Sequence, residues 1–147
     1  MDMNKAFFLK KEQVKPRWIL IDGAGKVVGR LATEIADFLS GKREVTFTPH
    51  AAQESYVVVI NAEKIEFTGK KFEEKEYVWY TGWRGGQKRA TPKEKMARGH
   101  EFVLRHAVKG MLRRNKLGNA EIRHLKIYAG AEHPHQAQIG VVARAAV

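Results

Sequence analysis

Three groups of residues have the types and spacing of chemistry-bearing sites. Gly23-Ala24-Gly25-Lys26-Val27-Val28-Gly29-Arg30 lies between an apolar run and a helical pattern, where a phosphate-cradling loop belongs. Its spacing fits neither familiar template. A dinucleotide fingerprint places its third glycine where Val28 stands. A P-loop requires Gly-Lys followed by Ser or Thr, whereas Gly29 precedes Arg30 and Leu31. The loop therefore has the pattern of a tight turn before a helix, from which Lys26 and Arg30 can still touch a phosphate. A nucleotide-using enzyme built on this loop is the alternative.

The second group is the six histidines, of which His133-Pro134-His135 is the one ligand-like pair. A proline between two histidines directs their rings apart, and beyond Glu132 no acidic cluster adjoins them. A rigid polar loop is expected, with no metal and no cofactor. The two serines, Ser40 and Ser55, are not in a nucleophile-elbow context. Lys70, Lys71 and Lys75 beside Glu73 and Glu74 have the pattern of a solvated, mixed-charge face. The chain contains no cysteine, which excludes disulfides, thiolate metal sites and cysteine nucleophiles and suits a reducing cytosol. No catalytic constellation remains, so no enzyme is expected.

The third group carries the charge. The chain has 147 residues and a formal net charge of +11. Between Arg84 and Lys126 stand thirteen basic residues and three acidic ones, while the remainder is nearly balanced with fourteen and thirteen. So concentrated an excess calls for a polyanionic partner. Trp79, Tyr80 and Trp83 flank Arg84, Gly85, Gly86, Lys88 and Arg89. Guanidinium and ammonium groups neutralise phosphates, flat rings stack on exposed bases, and glycines admit a close backbone. Trp83 is the ring expected to face solvent. Further on, Arg113, Arg114 and Lys116 follow a helix and are expected to lie beyond the core as an RNA anchor, although cations there also complement the helix dipole.

These groups need elements to position them. Trp18–Asp22 is an apolar run ended by Gly23, the pattern of a buried strand. Val28, Leu31, Ala32, Ile35 and Leu39 follow a helical period that Gly41 stops. Tyr56–Asn61 is a β-branched strand covered on both faces, followed by a helical turn around Ala62–Ile65. Glu76–Thr81 is a third strand and Leu125–Tyr128 a fourth, with a basic loop expected over Arg84–Ala90. Thr91-Pro92-Lys93-Glu94 spells a capping box with proline at the first helical position. Phe102–Leu112 continues helically from that start, with Val103, Leu104, Ala107, Val108, Met111 and Leu112 on one stripe and Arg98, Arg105 and Lys109 outward. Strands alternating with helices predict an α/β domain with a mainly parallel four-stranded sheet. No apolar run approaches the roughly 18 residues of a membrane span, and the N-terminal residues lack a secretory or transit pattern.

Several stretches occur together in an order that resembles the L-thirteen family of large-subunit ribosomal proteins, in its bacterial form. They are Gly29-Arg30-Leu31-Ala32, Thr48-Pro49-His50, Val57–Lys64, Thr68-Gly69-Lys70-Lys71, Gly85-Gly86, Gly110-Met111-Leu112, Asn115-Lys116-Leu117-Gly118, and Tyr128-Ala129-Gly130 running into Glu132-His133-Pro134-His135. The resemblance implies a three-layer α/β/α fold and binding to large-subunit, 23S-type rRNA. It also implies a part in early subunit assembly, neighbouring ribosomal proteins, a place in the cytoplasmic ribosome, and restraint of the chain's own mRNA. Three positions depart from the family's pattern: Ala51–Ser55 after His50, Arg113 where proline is common, and Ile139–Val142 near the end.

The expected organisation is an N-terminal arm over 1–17, one RNA-binding α/β domain over 18–138, and a tail over 139–147. Candidate RNA-binding residues are Lys26, Arg30, His50, Lys70, Lys71, Trp83, Arg84, Lys88, Arg89, Lys109, Arg113, Arg114, Lys116, His133 and His135. The expected partners are rRNA, neighbouring ribosomal proteins and the chain's own message, with no membrane.

Overall fold

The computed structural model describes residues 10, 14 and 16–139. The expected arm and tail lie almost wholly outside these residues. The first strand, β1 (Arg17–Asp22), leads into helix α1 (Val28–Leu39) and then β2 (Ser55–Ile60). A 3-10 turn over Ala62–Lys64 and the short α2 (Lys71–Glu74) follow. Next come β3 (Tyr77–Tyr80), β4 (Gln87–Ala90), α3 (Pro92–Arg98), α4 (Glu101–Met111) and α5 (Lys116–Glu121). A second 3-10 turn, Ile122–His124, enters β5 (Leu125–Ile127), and α6 (Gln136–Ile139) is last.

β2 lies at the centre of a parallel sheet in the order β1-β2-β5. Its register aligns Ile19 with Val57 and Leu125, and Ile21 with Val59 and Ile127. Side chains alternate along a strand, so these six face one side, and all six are buried. Parallel neighbours cannot be joined by a tight turn and need a crossover. α1 provides the first, burying Val28, Leu31, Ala32, Ile35, Ala36, Phe38 and Leu39. α4 lies within the second and packs beside α1, contributing Val103, Leu104 and Val108 to the same core.

The other sheet face is covered differently. Trp18 and Tyr56, partners across β1 and β2, stack with ring centroids 4.5 Å apart. His124 lies 4.4 Å from Tyr56 and His135 lies 5.0 Å from Trp18, extending the rings in both directions. Among the described residues this face carries the four-residue α6 beside β1 and the Ile122–His124 turn beside β2. This is a thinner cover than the full third layer expected.

The α/β class holds, but the sheet has three parallel strands rather than four. β3 pairs antiparallel with β4, from Tyr77 opposite Ala90 to Tyr80 opposite Gln87, in a separate two-stranded sheet. The physical reason lies in the connection. The chain reverses between Thr81 and Gly86, where the Thr81 N–H donates to the Gly86 carbonyl at 3.0 Å. A reversal that short joins antiparallel strands only. Part of the segment expected as a basic loop is therefore a strand. The capping box forms as the sequence predicts, with the Glu94 N–H donating to Thr91 Oγ1 and the Thr91 N–H to the Glu94 carboxylate. Met111, expected in the apolar stripe, is 45% exposed, because the helix ends there and the chain turns Leu112 into the core instead.

Burial holds the His124 imidazole below its ordinary value of 6.5, with Glu54 pulling in the opposite direction. The folded chain thus favours the neutral ring, and the unfolded chain takes up the proton first as pH falls through its ordinary value. Stability should therefore decline on acidification from about pH 7 to about pH 5. Denaturant midpoints at both values are expected to fall less for His124→Gln than for wild type. An equal fall in both would show that another group governs this window.

Candidate nucleic-acid interface

The Gly23–Arg30 loop is held by the chain itself. The Gly25 N–H donates to the Lys64 carbonyl, and Gly25 sits at φ 66°, where glycine is favoured. The Val28 N–H, at the first turn of α1, donates to Glu66, while the Glu66 N–H returns to the Lys26 carbonyl. Asp22 accepts from the Ala24 N–H at 3.0 Å and from Asn61 Nδ2 at 2.9 Å, bonds that lower its carboxyl's pKa. A phosphate cradle needs converging, unengaged N–H groups, whereas at least two of this loop's are turned onto the strap formed by Lys64–Glu66. Lys26 lies 3.6 Å from Glu34, and Arg30 is exposed without an ion pair to a described residue.

β3 and β4 project from the body as a basic, aromatic hairpin. Only its base is buried: Tyr77 meets Phe102 and His106 edge-on at 5.5 and 5.2 Å. Beyond it Val78, Trp79 and Tyr80 are all exposed, where alternation along the strand would have buried one face. Trp83 at the tip is 83% exposed and Tyr80 71%. Arg84, Lys88 and Arg89 accompany them at the surface, with Arg89 reaching Glu76 at 3.2 Å. Trp79 carries the Lys95 ammonium 4.1 Å above its ring.

The turn between α4 and α5 divides the three cations expected to act together. Arg114 and Lys116 are exposed and form no ion pair with a described residue. Arg113 instead turns inward, its guanidinium donating to the carboxylate of Glu121, which is fully buried, and to the Pro49 carbonyl. It therefore does not lie beyond the core. Asn115 caps α5 through the Gly118 N–H at 3.0 Å. A Cβ on Gly118 would stand 2.0 Å from the Arg113 carbonyl oxygen, so only glycine permits this approach.

The remaining candidates are dispersed. His50 is exposed beside Pro49, which Arg113 brings against the α4–α5 turn. Lys70 and Lys71 mark the start of α2, near α3, with Lys71 Nζ donating to Thr68 Oγ1 at 3.2 Å. Lys109 faces out from α4. His135 is half-buried, its Nε2 3.0 Å from the Tyr128 hydroxyl, and its backbone N–H donates to His133 Nδ1. The pair thus forms a self-bonded corner against the sheet. Among the described residues no group of three His, Asp or Glu is gathered as a metal site, and no helix is long and apolar enough to cross a membrane.

Of the thirteen cations between Arg84 and Lys126, Lys95 and Lys126 are half-buried and the other eleven divide into two sets. Arg89, Arg105 and Arg113 are paired with Glu76, Glu101 and Glu121. Arg84, Lys88, Lys93, Arg98, Lys109, Arg114, Lys116 and Arg123 are exposed and make no ion pair with any described residue. Sequence alone gave no sign of Lys95, whose contacts join residues distant in the chain. A family model described as ribosomal protein L13 matches residues 16–134, spanning the sheet, the hairpin and the α4–α5 turn. The chain belongs to the ribosomal protein L13 family. It is 55% identical over 128 residues to the large ribosomal subunit protein uL13 of Thermus thermophilus, covering 86% of this chain and 91% of that one. Similarity to the uL13 protein of Thermoanaerobacter sp. is 52% over 134 residues, covering 91% and 94%. As a member of the L13 family the chain is not an enzyme.

Within this L13 chain the two sets of cations should respond differently to substitution. Arg113→Ala leaves a buried carboxylate without its counter-charge and should destabilise the fold by about 3 kcal/mol or more. Arg114→Ala and Lys116→Ala, at solvated positions, should each change stability by no more than about 0.5 kcal/mol. Urea unfolding of the three variants checks this, and equal effects would contradict the division.

Proposed function

We propose that this chain is a structural constituent of the large ribosomal subunit that binds 23S-type rRNA through the surface built by residues 84–126. The single observation that carries the reading is the set of eight exposed cations, without carboxylate partners among the described residues, on the hairpin and helices of that segment. Surface cations normally mingle with carboxylates, and unpaired ones neutralise phosphates by releasing condensed counterions. Exposed Trp83 and Tyr80 at the hairpin add flat faces for unpaired bases. The names of the uL13 relatives support the same assignment.

A role early in subunit assembly is consistent with a core that packs within the chain, since cations already set in place need little ordering on binding RNA. The cytoplasmic ribosome is then its location, with other ribosomal proteins as neighbours. The same basic surface would serve a structured segment of the chain's own mRNA.

Binding to a large-subunit rRNA fragment should weaken steeply with salt. With six to ten phosphates neutralised, affinity is expected to fall about 10³–10⁵-fold between roughly 50 and 200 mM salt. Titration of the full chain at several salt concentrations reads this slope. A nearly flat dependence would remove the basic surface as the contact.

A further inference from the structure

Two adjoining clefts on this surface bring together residues from separate sequence stretches, Trp79 of the hairpin and Tyr128 after β5 among them. One, of about 480 Å³, lies between the hairpin and α4 and is lined by Tyr77, Trp79, Lys95, Phe102 and His106 among others. The second, of about 680 Å³, runs from the α3–α4 corner to the end of β5, past Arg98, His100, Arg105 and Tyr128. Lys95 and Phe102 line both. The clefts therefore meet at Lys95 and Phe102, and together they run as a trough from the hairpin to the end of β5.

The trough has a chemistry of its own. The Lys95 ammonium stands 4.1 Å from the Trp79 ring centroid and 4.6 Å from that of Phe102, a cation against two flat faces. Phe102 and His106 stack at 5.6 Å, continuing the flat wall along α4. Two carboxylates line the trough, and both are paired: Glu76 with Arg89, and Glu101 with Arg105 at 3.0 Å. Lys75, Lys95 and Arg98 are left without a carboxylate partner among the described residues, Lys75 standing 5.2 Å from the Tyr77 ring centroid, and Arg98 is exposed. His100 Nδ1 is buried there without a hydrogen-bond partner among the described residues. Flat hydrophobic rings alternating with unneutralised cations match a strand whose bases are unstacked and whose phosphates are accessible. A duplex presents its phosphates with its bases stacked away, so it cannot use the rings.

We propose that this trough takes an unpaired segment of RNA, one base lodging against Trp79 and Phe102 while Lys95 swings out to join Arg98 on the adjoining phosphates. The inference rests on the RNA-binding reading of the basic surface and adds to it the kind of RNA recognised. The ammonium holds the place between the rings until a base enters, and the displaced charge is then where the phosphate needs it.

The test uses the full chain with a fluorescent single-stranded uridine hexamer and a blunt RNA duplex at low salt. Trp79→Leu and Phe102→Leu should each weaken hexamer binding about fivefold or more, the loss expected for one stacked base, and leave duplex affinity unchanged. Arg98→Gln lies at the surface and keeps the fold testable if a ring variant loses its thermal midpoint. It should lower the logarithmic salt slope for the hexamer by about 0.7. Wild-type hexamer binding in all three variants would overturn the trough, as would an equal loss for duplex and hexamer in the Trp79 and Phe102 variants. If rRNA fragments still bind with a steep salt slope in that case, the basic surface stands and the trough is left to a neighbouring protein. If the wild-type chain binds none of these RNAs, both readings fail.

Discussion

Glu121 is fully buried, and a carboxylate taken out of water is tolerated only with its counter-charge in place. Arg113 supplies that charge from the turn that leaves α4, and the same guanidinium holds the Pro49 carbonyl of the segment leading into β2. One buried interaction thus ties together the end of the α4 helix, the α5 helix and the approach to the central strand. The close approach of Gly118 to the Arg113 carbonyl and the Asn115 cap fold the turn tightly around it. With Arg113 committed inward, Arg114 and Lys116 are left projecting from a rigid base.

Topology explains why the basic segment is gathered on one excursion of the chain. β2 and β5 are parallel neighbours, so the chain leaving the top of β2 must return to the bottom of the sheet before β5 begins. That return contains the hairpin, α3, α4 and α5. Only α4 contributes a substantial apolar stripe to the core, which leaves most of the excursion's surface free to carry charge. The fold is stabilised by nearly neutral elements around β1, α1 and β2, and the excess positive charge is concentrated in the segment that wraps them. Repulsion among the cations therefore acts on a surface and leaves the core undisturbed.

The parallel core was legible because α1 is apolar at a helical period, while β1, β2 and β5 are apolar runs too short for a helix, β-branched in β2. The hairpin was harder to read. Gln87-Lys88-Arg89-Ala90 has no apolar alternation, since both faces of a projecting strand meet solvent, and a basic strand then looks like a loop. Met111 fitted the helical stripe, but a period cannot announce that the helix ends at that residue. Among the site residues, exposure of Trp83 followed from its place beside two glycines and an arginine. The inward turn of Arg113 did not, for its partner is determined by tertiary packing around Glu121. The contact of Lys95 with Trp79 and Phe102 was equally invisible, because it requires the hairpin to lie against α4.

We propose that residues 84–126 build the RNA-facing surface, and amine reactivity measured lysine by lysine reads this out. The free chain and the chain within assembled large subunits would each be treated briefly with an amine-acylating reagent, and the modified positions compared. Lys88, Lys95, Lys109 and Lys116 should be strongly protected in the subunit, while Lys42, in the turn after α1 and 3.7 Å from Asp37, should stay reactive. Protection centred on Lys42 with Lys88, Lys109 and Lys116 still reactive would contradict the account.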